Sequence, residues 1–289
     1  MTIRPSLTAF GFRAEEYLPL ARAAEREGFE VLWLGDHLIS PATYSSDYPY
    51  APGGRGPGHA VETPMLDVWV NVGHLAAATT TLRLASGVLV LPLRNPFVTA
   101  RAAATAQLLS GGRVLLGVGS GWLREEFDAV GEPFDGRGRR TDEAIDVLRK
   151  LWSGEVVDHD GEAYRFGPVR FVPAPEPPIP IVVGGVSKAA IRRAAHRGDG
   201  WFGPAVPLAQ AVAARDAIAA ERTAAGRDGP FATWARVGVP VDRDEVLRFA
   251  DAGFDRLVVT GAKLAHQHAP LQAKLDAFAR AAETLRSAA

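Results

Sequence analysis

The amino-acid sequence of 289 residues contains no cysteine. This absence excludes disulfide bonds, thiolate metal sites and cysteine nucleophiles, so any chemistry depends on other side chains. The chain also has no excess of either charge, because 32 basic and 33 acidic side chains almost cancel. The balanced charge gives no indication of a nucleic-acid partner, and 47% hydrophobic residues are enough for a large core.

Long apolar runs are missing too. No segment has the roughly 20 consecutive apolar residues of a transmembrane helix, and residues 1–10 lack the basic and apolar regions of a signal peptide. These absences predict a soluble, cytoplasmic protein without a membrane partner. Among seven histidines only His266 and His268 lie close together, at a spacing that does not share a helical face. We therefore predict no metal site.

Two apolar strands and the helix between them occupy the middle of the chain. The strands, at 82–91 and 113–118, are almost continuous in leucine and valine, which is typical of parallel strands buried on both faces. Asn95 and Pro96 suit the N-cap and first turn of a helix, and Gly111 suits the left-handed residue after its end. This unit predicts a parallel α/β fold.

The same alternation continues along the whole chain. Strands are predicted at 3–10, 29–34, 82–91, 113–118, 181–183, 199–202, 231–239 and 256–260, and helices at 14–27, 64–79, 96–109, 140–152, 188–197, 208–225, 244–252 and 269–286. Eight alternations without a linker favour a single (β/α)8 TIM barrel over residues 1–289. Segments near 40–63 and 153–178 do not fit, and we interpret them as insertions. The second has a hairpin signal at Asp160-Gly161.

Polar residues follow two of the predicted strands directly. Asp36 and His37 come just after the second strand, where barrel enzymes keep catalytic groups, although a turn cap and simple packing explain them as well. Gly184 and Gly185 precede a helix that Ser187 caps, which predicts either a phosphate cradle or merely a tight turn. Tyr44, in the first insertion, is expected either to cover an aromatic ligand or to anchor its loop.

Three common functional motifs are absent or incomplete in this sequence. The glycines at 117, 119 and 121 do not complete a dinucleotide fingerprint, because Trp122 stands where the third glycine is needed. Ser120 lacks both outer glycines of a hydrolase nucleophile elbow, and no Walker lysine follows any glycine loop. Dinucleotide-binding, serine hydrolase and P-loop functions are therefore not predicted.

An ordered set of short motifs spans most of the chain. The motifs are Leu34-Gly35-Asp36-His37, Ser86-Gly87-Val88-Leu89-Val90, Gly111-Gly112-Arg113, Leu116-Gly117-Val118-Gly119-Ser120-Gly121-Trp122-Leu123-Arg124-Glu125-Glu126-Phe127, Arg139-Arg140-Thr141-Asp142-Glu143, Gly184-Gly185 and Gly198-Asp199-Gly200-Trp201. Together they resemble the luciferase-like monooxygenase superfamily, most closely its F420-dependent branch. The resemblance implies a (β/α)8 barrel that binds a flavin or deazaflavin at the C-terminal ends of its strands.

The resemblance also assigns site residues. It implies a cis peptide bond at Gly87-Val88 behind the cofactor ring. The residues that it implies contact the cofactor are Asp36, Gly87, Val88, Val90, Gly184, Gly185, Val186 and Ser187. His37, beside Asp36, matches a residue that transfers a proton in F420-dependent dehydrogenases, and histidine suits this task because its ordinary pKa lies near neutrality. Trp122 replaces the catalytic glutamate of a sugar-phosphate dehydrogenase branch. It therefore predicts an apolar or aromatic substrate wall, to which Tyr44 contributes.

Our leading hypothesis is an oxidoreductase in which reduced F420 supplies a hydride to a small organic substrate while His37 manages a proton. One alternative is an FMN-dependent monooxygenase that uses reduced flavin and oxygen, and another is a non-catalytic flavin-binding protein. Relatives in the family often form dimers, so the resemblance implies a homodimer, although core packing explains the apolar residues at 64–79 equally well.

Overall fold

The computed structural model describes residues 2–51, 61–265 and 268–287. Its strands are β1 (Arg4–Ala9), β2 (Val31–Leu34), β3 (Arg83–Ser86), β4 (Leu89–Val90), β5 (Val114–Gly119), β6 (Val156–Asp160), β7 (Arg165–Arg170), β8 (Ile181–Gly184), β9 (Gly200–Phe202), β10 (Ala232–Arg236) and β11 (Arg256–Thr260). Parallel pairing in the order β1-β2-β3-β5-β8-β9-β10-β11, with β11 returning to β1, closes an eight-stranded barrel. The predicted (β/α)8 barrel is confirmed.

Helices surround this barrel. They are α1 (Ala14–Arg26), α2 (Val68–Ala76), α3 (Pro96–Leu109), α4 (Arg124–Val130), α5 (Arg137–Trp152), α6 (Lys188–Arg197), α7 (Leu208–Ala224), α8 (Arg243–Asp251), α9 (Gly261–Leu264) and α10 (Leu271–Ser287). In the described ranges, no helix combines the length and the apolar character that crossing a membrane requires. The hairpin predicted about Asp160-Gly161 is confirmed, because β6 and β7 pair antiparallel in a separate sheet.

Two predicted helices begin three or more residues away from their predicted starts. The helix predicted at 64–79 begins only at Val68, because the Asp67 carboxylate accepts hydrogen bonds from the backbone N–H groups of Trp69 and Val70 and caps it there. The helix predicted to begin at residue 140 begins three residues earlier, at Arg137. The short helix α9 was not predicted at all.

The third barrel strand is interrupted, so the continuous strand predicted at 82–91 was wrong. β3 ends at Ser86, the Gly87-Val88 peptide bond is cis as the resemblance implied, and β4 resumes along β5. Glycines of β5 make room for this break. A Cβ atom on Gly117 would lie 2.0 Å from the carbonyl oxygen of Ser86, and one on Gly119 would lie 2.8 Å from the side chain of Val88.

Aromatic rings fill the interior of the barrel. The ring of Trp33 lies 4.3 Å from that of Phe202 and 5.2 Å from that of Trp234, and small aliphatic residues of the other strands complete this cluster. Outward-facing strand residues pack instead against the apolar faces of the helices in a second, larger cluster. The barrel is therefore a packed core and not a pore, and a ligand site has to lie above it.

A carboxylate organises the turn that leads into β3. Glu25, near the end of α1, accepts hydrogen bonds from the backbone N–H groups of Thr80, Thr81 and Leu82 at 2.6–2.9 Å. Burial alone raises the pKa of Glu25, but the hydrogen bonds from Thr81, Leu82 and Thr80 outweigh burial and bring the pKa to about 2. The ionised carboxylate thus stabilises the approach to the interrupted strand.

We predict that Glu25→Gln lowers the free energy of unfolding at neutral pH by about 2 kcal/mol, since hydrogen bonds to a charged group are worth roughly 1.5–3 kcal/mol. The pKa falls from an ordinary 4.5 to about 2 on folding. The contribution of the carboxylate is therefore complete above pH 4.5 and is lost as the pH falls towards 2. Urea denaturation of both proteins across this pH range should show their stabilities converging in acid.

The matched control is Glu27→Gln, because Glu27 lies two residues further along and pairs with the exposed Arg26 at 3.0 Å. Surface pairs of this kind contribute roughly 0–1 kcal/mol, so this variant should remain close to the wild type at every pH. A Glu25→Gln deficit that stays constant down to the lowest pH would contradict the assignment.

Candidate active site

A cavity of about 750 Å³ opens at the C-terminal ends of the barrel strands. Most of the predicted site residues border it, namely Asp36, His37, Gly87, Val88, Val90, Trp122, Gly184, Gly185, Val186 and Ser187. Tyr44 does not line the cavity. Its ring contacts that of Trp122, with the two centroids 5.9 Å apart. The fold thus brings residues from four separate strand ends to one place.

His37 is held by a buried carboxylate. Its Nδ1 lies 2.7 Å from Oε2 of Glu126, and the other oxygen of Glu126 accepts a hydrogen bond from the backbone N–H of Leu38 at 2.6 Å. The Glu126 side chain is 1% exposed, whereas His37 borders the cavity. An ionised carboxylate can only accept, so in the neutral imidazole the proton is on Nδ1 and Nε2 is the basic nitrogen.

Asp36 is engaged by a buried ion pair. Its two oxygens accept hydrogen bonds from Arg94 at 2.7 and 2.8 Å, and Oδ2 also accepts from the backbone N–H of Val90 at 3.0 Å. Burial raises the pKa of Asp36, while Arg94 and the Val90 amide oppose that rise. This geometry gives Asp36 a positioning role at the interrupted strand. Its predicted catalytic role is not tested by these contacts and stays a prediction.

Trp122 is the centre of an aromatic wall. Its ring centroid lies 5.2 Å from that of Tyr48 and 6.5 Å from the imidazole of His37, both in edge-to-face orientation. The loop that carries Tyr48 is tied to α4, because Glu125 accepts hydrogen bonds from the backbone and hydroxyl groups of Ser45 and Ser46. The wall therefore depends on the contact between this loop and α4.

The predicted cradle lies at the N-terminus of α6. Gly185 has a φ of 110°, and a Cβ atom there would lie 3.0 Å from the hydroxyl of Tyr50 and 3.1 Å from Cβ of Ala190. The Ser187 hydroxyl caps the helix by accepting from the backbone N–H of Ala190. The two glycines thus leave a recess at a positive helix end, and such a recess favours an anion.

Sequence reasoning missed the charged residues around the predicted ones. Arg236 borders the cavity, as do Asp47, Arg124 and Arg137. Arg94 and Glu126 do not border it but hold Asp36 and His37, and Glu126 lies 89 positions from its partner. Glu126 lies within the Leu116–Phe127 motif of the family resemblance. Its place in that motif is the signal by which the sequence could have identified it as a site residue. Of the two neighbouring histidines near the C-terminal helix, His266 and His268, His266 lies outside the described residues. Within those residues no cluster of three metal-ligating side chains occurs.

Comparisons with known proteins show which proteins this chain resembles. A family model described as luciferase-like monooxygenase matches residues 1–288. An uncharacterized protein of Mycobacterium tuberculosis is 40% identical over 68% of this chain and 66% of its own length. An F420-dependent glucose-6-phosphate dehydrogenase of Kineococcus radiotolerans is 32% identical over 69% of this chain. That alignment spans only 56% of the dehydrogenase.

Solved structures share the fold at low sequence identity. An F420-dependent secondary alcohol dehydrogenase superimposes with a TM-score of 0.76 at 18% identity, covering 99% of this chain and 100% of its own. A monooxygenase from Streptomyces bottropensis has the same TM-score at 20% identity and covers 98% of both chains. The fold alone therefore does not distinguish these two kinds of enzyme.

We predict that Glu126→Gln shifts neutral His37 towards the tautomer protonated at Nε2. The glutamine oxygen can still accept from Leu38, while its amide can donate to Nδ1 of His37, which reverses the present hydrogen bond. The ¹⁵N chemical shifts of the imidazole, recorded at about pH 8.5 where histidine is ordinarily neutral, report the tautomer directly.

Asp128→Asn is the control, because Asp128 is exposed on the same helix α4 and its loss removes one negative charge without touching His37. This variant should keep the wild-type tautomer. An unchanged imidazole spectrum in Glu126→Gln would show that Glu126 does not set the proton position.

Proposed function

We propose, from the premise that this chain belongs to the luciferase-like monooxygenase family, that it is an F420-dependent oxidoreductase. It would transfer a hydride between the deazaflavin and a small organic substrate. The observation that carries the proposal is the juxtaposition of His37, held by Glu126, with the Gly87-Val88 break and the glycine recess in one cavity. The F420-dependent relative, at 32% identity, supports the choice of cofactor.

Two parts of the cavity lining suit the negatively charged groups of such a cofactor. The Gly184-Gly185 recess at the N-terminus of α6 suits a phosphate, and side chains larger than hydrogen would fill it. Arg124 and Arg137 also border the cavity, and within the described part of the chain Arg137 forms no ion pair with a carboxylate. Arg124 already pairs with Asp135 at 3.1 Å, so the half-buried guanidinium of Arg137 is the group that a ligand carboxylate can still pair with. F420 carries a carboxylate-rich tail that FMN lacks, and Arg137 therefore favours F420.

The chemistry divides between cofactor and protein. When bound, the deazaflavin ring supplies or accepts a hydride. Nε2 of His37 would take up or deliver the accompanying proton, because Glu126 fixes the ring through Nδ1. Trp122 and Tyr48 close one side of the cavity with aromatic surface, which limits access of water to the reacting groups.

Two other functions remain as alternatives. An FMN-dependent monooxygenase is favoured by the family description and by the structural likeness to a monooxygenase. A non-catalytic flavin-binding protein is disfavoured by the dyad of His37 and Glu126, since burying a carboxylate costs free energy that simple ligand storage does not require.

We predict that the purified protein binds F420 at least tenfold more tightly than FMN, because the guanidinium of Arg137 has carboxylates to pair with only in F420. Fluorescence titration of cofactor-free protein with each cofactor, oxidised and reduced, measures this ratio. Tighter binding of FMN would contradict the proposal and make oxygen consumption the next assay. Binding of neither cofactor would contradict both enzymatic assignments.

We also predict that Gly185→Ala weakens cofactor binding by about tenfold or more. The new methyl group occupies the recess between Tyr50 and Ala190, and φ of 110° is unfavourable for alanine. Gly226→Ala is the matched control, because Gly226 also has positive φ, at 63°, but nothing lies within 4 Å of its hypothetical Cβ. Equal cofactor affinity in the two variants would argue against a phosphate at Gly185.

A further inference from the structure

An arginine stands on the inner face of the barrel where apolar residues are expected. Side chains alternate along β10, so Arg236 points to the same side as Trp234, whereas Ala235 packs in the outer cluster against the helices. Trp234 is part of the interior aromatic cluster, and Arg236, two residues nearer the C-terminal end, borders the cavity. The polar floor of the cavity therefore begins where the aromatic core ends.

Arg236 differs in its partners from three other largely buried cations. Arg94 pairs with Asp36, Arg193 with Asp142 and Lys274 with Glu16, each at 2.6–2.7 Å. Among the residues that the structure describes, no carboxylate forms an ion pair with Arg236, and its buried Nε has no hydrogen-bond partner.

The surroundings of Arg236 make its charge costly. Its guanidinium carbon lies 4.8 Å from the centroid of the Phe202 ring. Burial raises the pKa of the Tyr48 phenol above its ordinary value, so Tyr48 is uncharged at neutral pH and supplies no counter-charge. Burial lowers the pKa of Arg236, but a guanidinium remains protonated at neutral pH all the same. A partly desolvated cation of this kind is stabilised when an anion enters the cavity.

The position of Arg236 separates it from the groups assigned to the cofactor. Around the eight-stranded barrel, β10 is four strands from β3 in either direction, so Arg236 lies across the cavity from the Gly87-Val88 break. The glycine recess is on β8. If the break and the glycine recess hold the cofactor, the β10 side of the cavity is left for a substrate.

We propose that Arg236 binds an oxyanion, most simply a carboxylate, on the substrate. The inference rests on the proposed function, since it takes the break and the glycine recess as the cofactor's side of the cavity. A carboxylate can accept two parallel hydrogen bonds from one guanidinium, which fixes its orientation. The wall of Trp122 and Tyr48 then accommodates an apolar or aromatic body, so the substrate class is a carboxylate with a flat, apolar part.

Benzoate and benzamide test this proposal, because they share size and shape but only benzoate is charged. Isothermal titration calorimetry of each probe into the protein, without cofactor and with whichever cofactor it binds, measures the preference for the anion. We expect the wild type to bind benzoate about tenfold or more tightly than benzamide. Arg236→Met should abolish this preference, and Arg236→Lys should retain part of it.

Arg222→Met is the matched control. Arg222 is also a buried arginine over a phenylalanine ring, at 4.4 Å from Phe231, with one unpartnered nitrogen, but it lies on α7 and does not border the cavity. Its replacement removes comparable packing and should leave the preference for benzoate unchanged.

Three results would overturn the proposal. The first is equal affinity of the wild type for both probes, and the second is a preference for benzoate that survives in Arg236→Met. The third is a tenfold loss of cofactor affinity in Arg236→Met, which would assign the guanidinium to the cofactor instead. If neither F420 nor FMN binds, the function proposed above fails, yet the probe preference of the cofactor-free protein still decides the role of Arg236.

Discussion

The buried ion pair between Asp36 and Arg94 is the contact on which the site depends. It joins the end of β2 to the segment after β4, and the same carboxylate accepts from the Val90 amide. The part of the third strand after the break is thereby held at a fixed distance from β2. His37 follows Asp36 directly, so its place at the cavity is set by the same contact. Removing either charge would leave the other buried and unpaired, which is costly.

Close backbone approach is the second constraint, and it explains glycines that resemble a nucleotide-binding pattern. Gly117 and Gly119 face the break in the third strand, where any side chain would collide with Ser86 or Val88. Their spacing of two reflects the alternation of a strand whose inner face must be empty. These glycines therefore resemble part of a dinucleotide fingerprint because the barrel needs them for close packing against its own backbone.

The sequence predicted what local chemistry determines. Continuous apolar runs located the barrel strands, and Asn95 and Ser187 marked helix starts that the structure contains, with their side chains accepting the expected backbone bonds. It did not predict partners distant along the chain. Glu126 meets His37 across 89 positions and Arg94 meets Asp36 across 58, and no periodicity encodes such pairs. Arg236 could have been predicted to face the barrel interior, because it follows Trp234 by two residues on a strand whose inner face is otherwise apolar.

The charges that remain on the cavity favour an anionic occupant. Its described lining carries two aspartates, Asp36 and Asp47, and three arginines, Arg124, Arg137 and Arg236. Asp36 is neutralised by Arg94 from behind, and the carboxylate of Glu126 is used to orient His37. The buried acids of the site therefore hold the site together. Arg124 pairs with Asp135 at 3.1 Å, whereas Arg137 and Arg236 form no ion pair with a carboxylate among the described residues. The interior aromatic cluster offers these two guanidinium groups no counter-charge, so the charge of the bound ligand is a determinant of affinity.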